Sequence, residues 1–183
     1  VKSICPYLNK DNLVILESTC PVGTTDKLVD FICKKTNLKK SDINIAYCPE
    51  RVLPGNILKE LENNDRIIGG INYQAAEKAK TIYSHICKGE IFLTNAHTAE
   101  MAKLSENAFR DINIAFANEL SIICEKLNIN VIDLINIANR HPRVNILKPG
   151  CGVGGHCIAI DPWFIASQFP ENSLLIQTAR KVN

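Results

Sequence analysis

No apolar run in this chain approaches the ~20 consecutive residues that a membrane-spanning helix needs. No two of its eight cysteines form a Cys-x-x-Cys pair. Neither sign of charge dominates, with 21 Lys and Arg against 19 Asp and Glu and a formal net charge of +2. No repeat or low-complexity segment occurs, and no secretory leader is recognisable. These absences argue against a transmembrane anchor, a disulfide scaffold, and a nucleic-acid partner drawn by charge alone. Cys151, His156 and Cys157 lack a fourth ligand at a fitting spacing, so no metal site is expected. Irregularly spaced cysteines in apolar runs suit reduced thiols and a cytoplasmic location. No strand leading into Gly-x-Gly-x-x-Gly and a helix opens the chain, although a dinucleotide-binding domain starts that way. The chain reads as beginning inside a domain and stopping inside a helix, hence as part of a longer polypeptide.

Short apolar runs alternate with helical patterns over the first half. Leu13-Val14-Ile15-Leu16 predicts a buried parallel strand, and Thr24-Thr25-Asp26 opens a helix to about Lys35. Further strands are predicted at 43–47, 65–70 and 91–93. A helix capped by Asn72 runs to about Cys87, with Ala75, Ala79, Ile82 and Ile86 on its buried stripe. This alternation predicts an α/β fold with a parallel sheet. From about Thr98 to Lys126 there is no Gly or Pro. Met101, Leu104, Ala108, Ile112, Ala115, Phe116, Leu120, Ile123 and Leu127 recur there at helical spacing, which predicts one long helix. Shorter helices follow from Asn130, from Pro162 and from Ser173.

The most informative stretch is Pro149-Gly150-Cys151-Gly152-Val153-Gly154-Gly155-His156-Cys157, followed by Asp161-Pro162-Trp163. Glycines permit close backbone approach and positive φ. Asp161 before Pro162 reads as an N-cap with proline at the first helical position. Cys157 then sits just ahead of a helix N-terminus, whose positive end favours a thiolate. That is the layout of an activated thiol nucleophile. The alternative is a structural cysteine in a tight turn.

Two further groups carry potential chemistry. Lys103 and Asn107 are one helical turn apart and share a face, which suits an oxyanion clamp or a plain solvated surface. Arg140, His141 and Arg143 crowd one short loop around Pro142. They form either a clamp on an anionic ligand or a surface turn.

Four segments, in order along the chain, resemble the nucleotide-sugar 6-dehydrogenases, the family of UDP-glucose and GDP-mannose dehydrogenases. They are Glu17-Ser18-Thr19-Cys20-Pro21-Val22-Gly23-Thr24-Thr25, Cys48-Pro49-Glu50-Arg51, Ala99-Glu100-Met101-Ala102-Lys103-Leu104-Ser105-Glu106-Asn107 and Gly152-Val153-Gly154-Gly155-His156-Cys157. The runs from His156 to Ile165 and from Asn139 to Asn145 are most similar to the branch that oxidises UDP-N-acetyl-D-mannosamine. The resemblance implies NAD as cofactor and a UDP-sugar as substrate, oxidised from primary alcohol to carboxylate in two hydride transfers. It implies Cys157 as nucleophile, Lys103 and Asn107 as oxyanion-stabilising and proton-handling groups, and Asp161 as a helper of the hydrolytic water. Thr19, Glu50 and Gly154 fall at positions near the cofactor, Thr19 and Glu50 also near the reacting water. Arg51, Gly152, Lys103, Asn107 and the 140–143 loop fall on the substrate side. Taken alone, Glu50 is equally a loop carboxylate beside Arg51, and Thr19 a strand-end turn residue.

The resemblance also implies an architecture. Residues 1–94 are expected to be the C-terminal part of an NAD-binding, Rossmann-like domain. Residues 95–183 are expected to be a helical central domain that carries the Cys loop and forms a homodimer through the long helix. Ala102, Ala108, Ala115 and Ala117 would allow close helix approach there. Two positions depart from the common pattern: Ile160 stands where many members have Lys, and Leu53-Pro54-Gly55 where many have a second Glu. Other readings stay open: a UDP-N-acetylglucosamine or UDP-glucose 6-dehydrogenase, a non-catalytic dimerisation module, and a hydroxyacid or 6-phosphogluconate dehydrogenase. The last of these needs no nucleophilic cysteine.

Overall fold

The computed structural model describes residues 1–52 and 55–183; Leu53 and Pro54 lie outside the described residues, and with them most of the departure at 53–55. The chain divides into two compact units, Val1–Lys103 and Leu104–Asn183.

The first unit is built on four strands, β1 (Leu13–Leu16), β2 (Asn44–Tyr47), β3 (Arg66–Gly70) and β4 (Ile91–Asn95), ordered β1-β2-β3-β4 in one sheet. β1/β2 and β3/β4 pair in parallel, whereas β2 and β3 are antiparallel through Ala46 with Gly70 and Tyr47 with Gly69. The sheet is therefore mixed, a correction to the all-parallel expectation. Between β2 and β3 the chain makes only a short return, including α2 (Ile57–Asn63), a helix without a strong apolar period that the sequence did not announce.

Side-chain alternation explains why both faces of this sheet are covered. Ala46 and Ile68, with Leu13, Ile15 and Leu93, pack against α3 (Tyr73–Tyr83) through Ala76, Ala79 and Tyr83. Ile43, Ile45 and Val14 turn the other way, onto Val29 and Ile32 of α1 (Thr24–Lys35). Helix α3 starts as expected, with Asn72 Oδ1 accepting the Ala75 amide at 2.8 Å. It ends at Tyr83, and its buried residues are Ala75, Ala76, Ala79 and Tyr83. The expected stripe members Ile82 and Ile86 are exposed, because the sheet contact follows the small alanines.

Helix α4 (Ala96–Lys126) is 31 residues long and passes from the first unit into the second. Its start crosses β3 so closely that a Cβ on Gly69 would lie 2.6 Å from Ala99 Cβ. The buried stripe of α4 is Glu100, Leu104, Ala108, Asp111, Ala115 and Asn118. Met101, Phe116, Ile123 and Leu127, expected on that stripe, are exposed. The second unit adds α5 (Val131–Ala138), α6 (Asp161–Gln168) and α7 (Leu174–Val182). Asn130 caps α5 by accepting the Ile132 amide at 2.9 Å. No helix among the described residues is long and apolar enough to cross a membrane.

Candidate active site

In the first unit, the parallel pairing of β1 and β2 sets two loops side by side at the strand ends. The Cys48 amide donates to the Leu16 carbonyl at 2.9 Å, and the Glu50 amide to the Glu17 carbonyl at 3.4 Å. Thr19 and Glu50, two of the three positions expected near the cofactor, thus belong to neighbouring loops. Both are half-buried. Crevices beyond the carboxyl ends of parallel strands are where open α/β sheets bind ligands. Glu50 Oε1 accepts the backbone amides of Arg51 at 2.7 Å and Val52 at 3.1 Å, which fixes the loop's bend. Arg51 Nη1 donates to the Asp65 carbonyl at 3.1 Å.

The floor beneath these loops is polar, with Arg66, Tyr83 and Cys48 buried and Glu17 at the exposed edge. The Tyr83 hydroxyl donates to Glu17, and the Arg66 guanidinium lies 4.7 Å from the centre of the Tyr83 ring. Burial and the Glu17 carboxylate push the Tyr83 hydroxyl well above the usual phenol range. Burial also raises the Cys48 thiol, against the Arg66 guanidinium 3.8 Å away. Cys20, on the loop after β1, is buried and its thiol is pushed up to about 11, chiefly by desolvation. These thiols are protonated, structural groups at neutral pH.

In the second unit, the residues 149–160 contain no helix or strand; the run ends in successive turns against α6. Gly150, Gly152 and Gly155 satisfy the Gly-x-Gly-x-x-Gly spacing, but no strand precedes them, so they do not form a dinucleotide fingerprint. Gly152 at φ +136 and Gly155 at φ +86 hold conformations that side chains resist. Gly154 is exposed beside them. Cys157 is exposed, and its carbonyl accepts the Asp161 amide at 2.8 Å, which ties the thiol-bearing residue to the first turn of α6.

Asp161 is not the N-cap expected from the sequence. Ile160 takes that position without a side-chain cap, and Asp161 is the first helical residue. Its side chain is buried, 3% exposed, and Oδ2 accepts Asn107 Nδ2 at 2.6 Å. Asn107 and Asp161 are thereby brought together. Lys103 is half-buried on α4, one turn before Asn107, and has no hydrogen-bond or ion-pair partner among the described residues.

Arg140, His141 and Arg143 are all exposed on the turn after α5. Sequence reasoning missed the residue that shapes this turn. Asn139 donates Nδ2 to the Ile146 carbonyl at 2.9 Å and accepts the Ile146 amide at 2.7 Å, closing the loop like a paired strand. Also missed was a buried network on α4. Asp111 Oδ1 receives Arg180 Nη1 at 2.6 Å and Asn183 Nδ2 at 2.8 Å, and Asn118 Oδ1 accepts the Gly150 amide at 2.9 Å. The signal was present: Glu100, Asp111 and Asn118 share the stripe with Leu104, Ala108 and Ala115, and polar residues on a buried stripe need dedicated partners.

Two family models match the chain. Residues 1–87 match the model of the UDP-glucose/GDP-mannose dehydrogenase family, NAD binding domain. Residues 97–183 match the same family's central domain. The chain belongs to the UDP-glucose/GDP-mannose dehydrogenase family. It is 59% identical to the UDP-N-acetyl-D-mannosamine dehydrogenase of Campylobacter jejuni, covering 100% of this chain and 47% of that protein. It is 55% identical to an NDP-N-acetyl-D-galactosaminuronic acid dehydrogenase of Ralstonia nicotianae, covering 100% of this chain and 45% of that protein. Among solved structures, the UDP-D-ManNAc dehydrogenase from Pyrococcus horikoshii matches with a TM-score of 0.95 and 48% identity, over 100% of this chain and 44% of the other. The chain thus spans about half the length of the curated relatives it matches.

Proposed function

We propose that this chain supplies the nicotinamide-facing loops and the nucleophile of an NAD-dependent dehydrogenase that oxidises UDP-N-acetyl-D-mannosamine to the corresponding uronate. On this reading residues 1–94 are the C-terminal part of the NAD domain and residues 95–183 the central domain. The observation that carries it is the exposed Cys157 on a loop held by positive-φ glycines, one short turn ahead of the buried Asp161 that pairs with Asn107. The names of the relatives, two of the three acting on ManNAc-type substrates, support the sugar.

The residues present fit one end of the cofactor. Thr19 and Glu50 stand at the ends of adjacent parallel strands, where a nicotinamide ring can sit. No strand leading through Gly-x-Gly-x-x-Gly into a helix occurs among the described residues. When bound, NAD would supply the hydride acceptor at the sugar's C6, one hydride to each of two NAD molecules in turn. Cys157 Sγ adds to the aldehyde carbon, its proton passing to the oxygen. Loss of the second hydride together with the hydroxyl proton leaves a thioester, and water then cleaves the C–S bond to release acid and thiol. Lys103 and Asn107 stabilise the oxygen as charge develops on it. Asp161, through Asn107, orients that carboxamide, and Glu50 with Thr19 serves the water and the cofactor edge. Arg51, Gly152 and the Arg140, His141, Arg143 loop contact the substrate, and Gly154 lets the cofactor approach the Cys loop.

Eight free thiols suit a reducing compartment, in keeping with a cytoplasmic enzyme. Turnover of UDP-N-acetyl-D-mannosamine, UDP-N-acetylglucosamine, UDP-N-acetylgalactosamine and UDP-glucose by the full-length protein tests the substrate. The reading expects the mannosamine substrate to have the highest kcat/KM, and a clear preference for another sugar overturns that choice. Cys157→Ala should abolish acid formation while leaving substrate binding intact. Uronate production at the wild-type rate by that variant overturns the covalent route.

A further inference from the structure

Helix α1 begins without a side-chain cap of its own. Its N-cap is Gly23, at φ +86, which has nothing to offer the exposed amides. The cap arrives instead from far along the chain. Glu100, fully buried near the start of α4, accepts the Gly23 amide on Oε2 at 2.6 Å. Its Oε1 accepts the Thr25 amide at 2.8 Å and the Thr25 hydroxyl at 2.7 Å. The Cys20 thiol points to the same carboxylate at 3.9 Å. Among the described residues no cation pairs with Glu100. Its charge is met by donors and by the positive end of α1.

A buried carboxylate with no counter-ion is a costly way to fill space, and an apolar side chain would pack there more cheaply. What the carboxylate provides is geometry. Three convergent donors from Gly23 and Thr25 force the turn of residues 19–25 into a single shape, with Cys20 and Thr25 inward. Thr19 leads into that turn directly from the end of β1.

We propose that Glu100 is a positioning residue for the cofactor: by holding this turn from α4, it sets where Thr19 stands against the nicotinamide. The inference rests on the functional reading above. It assigns Glu100 no contact with NAD or with the sugar.

Glu100→Gln in the full-length protein is the decisive variant. It keeps the size, but its Nε2 must face a backbone N–H, so one donor loses its acceptor. Thr25→Val removes only the hydroxyl donor and leaves the carboxylate, a milder change should the first variant fold poorly. Two readouts are taken. In the first, iodoacetamide labelling followed by peptide mass mapping should show Cys20 becoming reactive while Cys5, Cys48, Cys87 and Cys124 stay protected. In the second, the KM for NAD should rise by about tenfold in Glu100→Gln and less in Thr25→Val, with the KM for the UDP-sugar unchanged. Loss of protection at all five buried thiols together in both variants overturns the proposal, since Glu100 would then support the fold of the whole chain. So does a wild-type KM for NAD with Cys20 still protected. A wild-type protein that does not reduce NAD at all overturns the functional reading, and this inference with it, a result distinct from either of those.

Discussion

Asn107 on α4 and Asp161 at the start of α6 are 54 positions apart in sequence, and the Asn107 amide donates to the Asp161 carboxylate at 2.6 Å. The bond joins the helix that carries the proposed oxyanion donors to the helix that follows the nucleophile loop. Through it Asp161 fixes the orientation of the Asn107 carboxamide.

Asn107→Asp places two carboxylates within hydrogen-bond reach. One of them must then hold its proton to a higher pH in the folded state than in the unfolded chain, so folding is penalised above the ordinary carboxylate range and relieved as pH falls. The variant's urea midpoint should drop relative to wild type more at pH 7 than at pH 5. Equal drops at both values would mean that the two side chains separate.

Cys20 offers a second pH test. Its thiol is raised from 9.0 to about 11 by burial, so the folded state keeps a proton that the unfolded chain gives up. Stability from this group is complete below pH 9 and is lost as pH climbs to about 11. The loss should be roughly 3 kcal/mol, the equivalent of a folded–unfolded pKa difference of this size. Cys20→Ser, which does not titrate there, should flatten the alkaline fall in the denaturation midpoint. An unchanged slope would assign that fall to Cys48 and Tyr83, whose protons burial also holds.

Asp111 and Arg180 form a buried pair at 2.6 Å, with side chains 0% and 9% exposed. Arg180→Met strands the carboxylate and should cost about 3–5 kcal/mol of unfolding free energy. Asp111→Leu combined with Arg180→Met should recover much of that loss, because no charge then remains without a partner. A double variant as unstable as the single one would show that Asn183 and the rest of the network depend on Asp111 itself.

The long helix has a second apolar stripe. Phe109, Phe116 and Ile123 recur every seven residues and are 71%, 52% and 45% exposed. A homodimer through α4 would cover them. Of the four alanines first expected at such an interface, Ala108, Ala115 and Ala117 are already buried within the chain and Ala102 is half-buried. Phe109→Glu with Phe116→Glu should convert a dimer into a monomer in sedimentation equilibrium without changing helix content. A dimer that persists in this variant would place the interface elsewhere.

Arg143 is exposed on the loop that Asn139 closes. If that loop clamps the nucleotide-sugar, Arg143→Ala in the full-length protein should raise the KM for the sugar by about tenfold or more and leave the KM for NAD alone. Identical kinetics would return Arg143 to the role of a surface turn.

Local signals determined a good part of this protein from sequence alone. Asn72 and Asn130 mark helix starts because their side chains satisfy amides only two or three residues away. The glycines around Cys157 mark a loop because positive φ is a property of the residue itself, and the freedom of residues 98–126 from Gly and Pro marks one long helix. What the tertiary structure decided depends on partners far along the chain. The antiparallel turn of β3 against β2 is set by pairing, which residues of one strand do not encode. Asp161, which reads as a cap, is drawn to Asn107 because burial in the helical unit offers it a better donor than its own backbone. Which apolar face of α4 turns inward was ambiguous, since the helix carries two apolar stripes. The inward one is the stripe whose Glu100, Asp111 and Asn118 find donors and acceptors inside the fold, and those partners exist only once the chain has closed on itself.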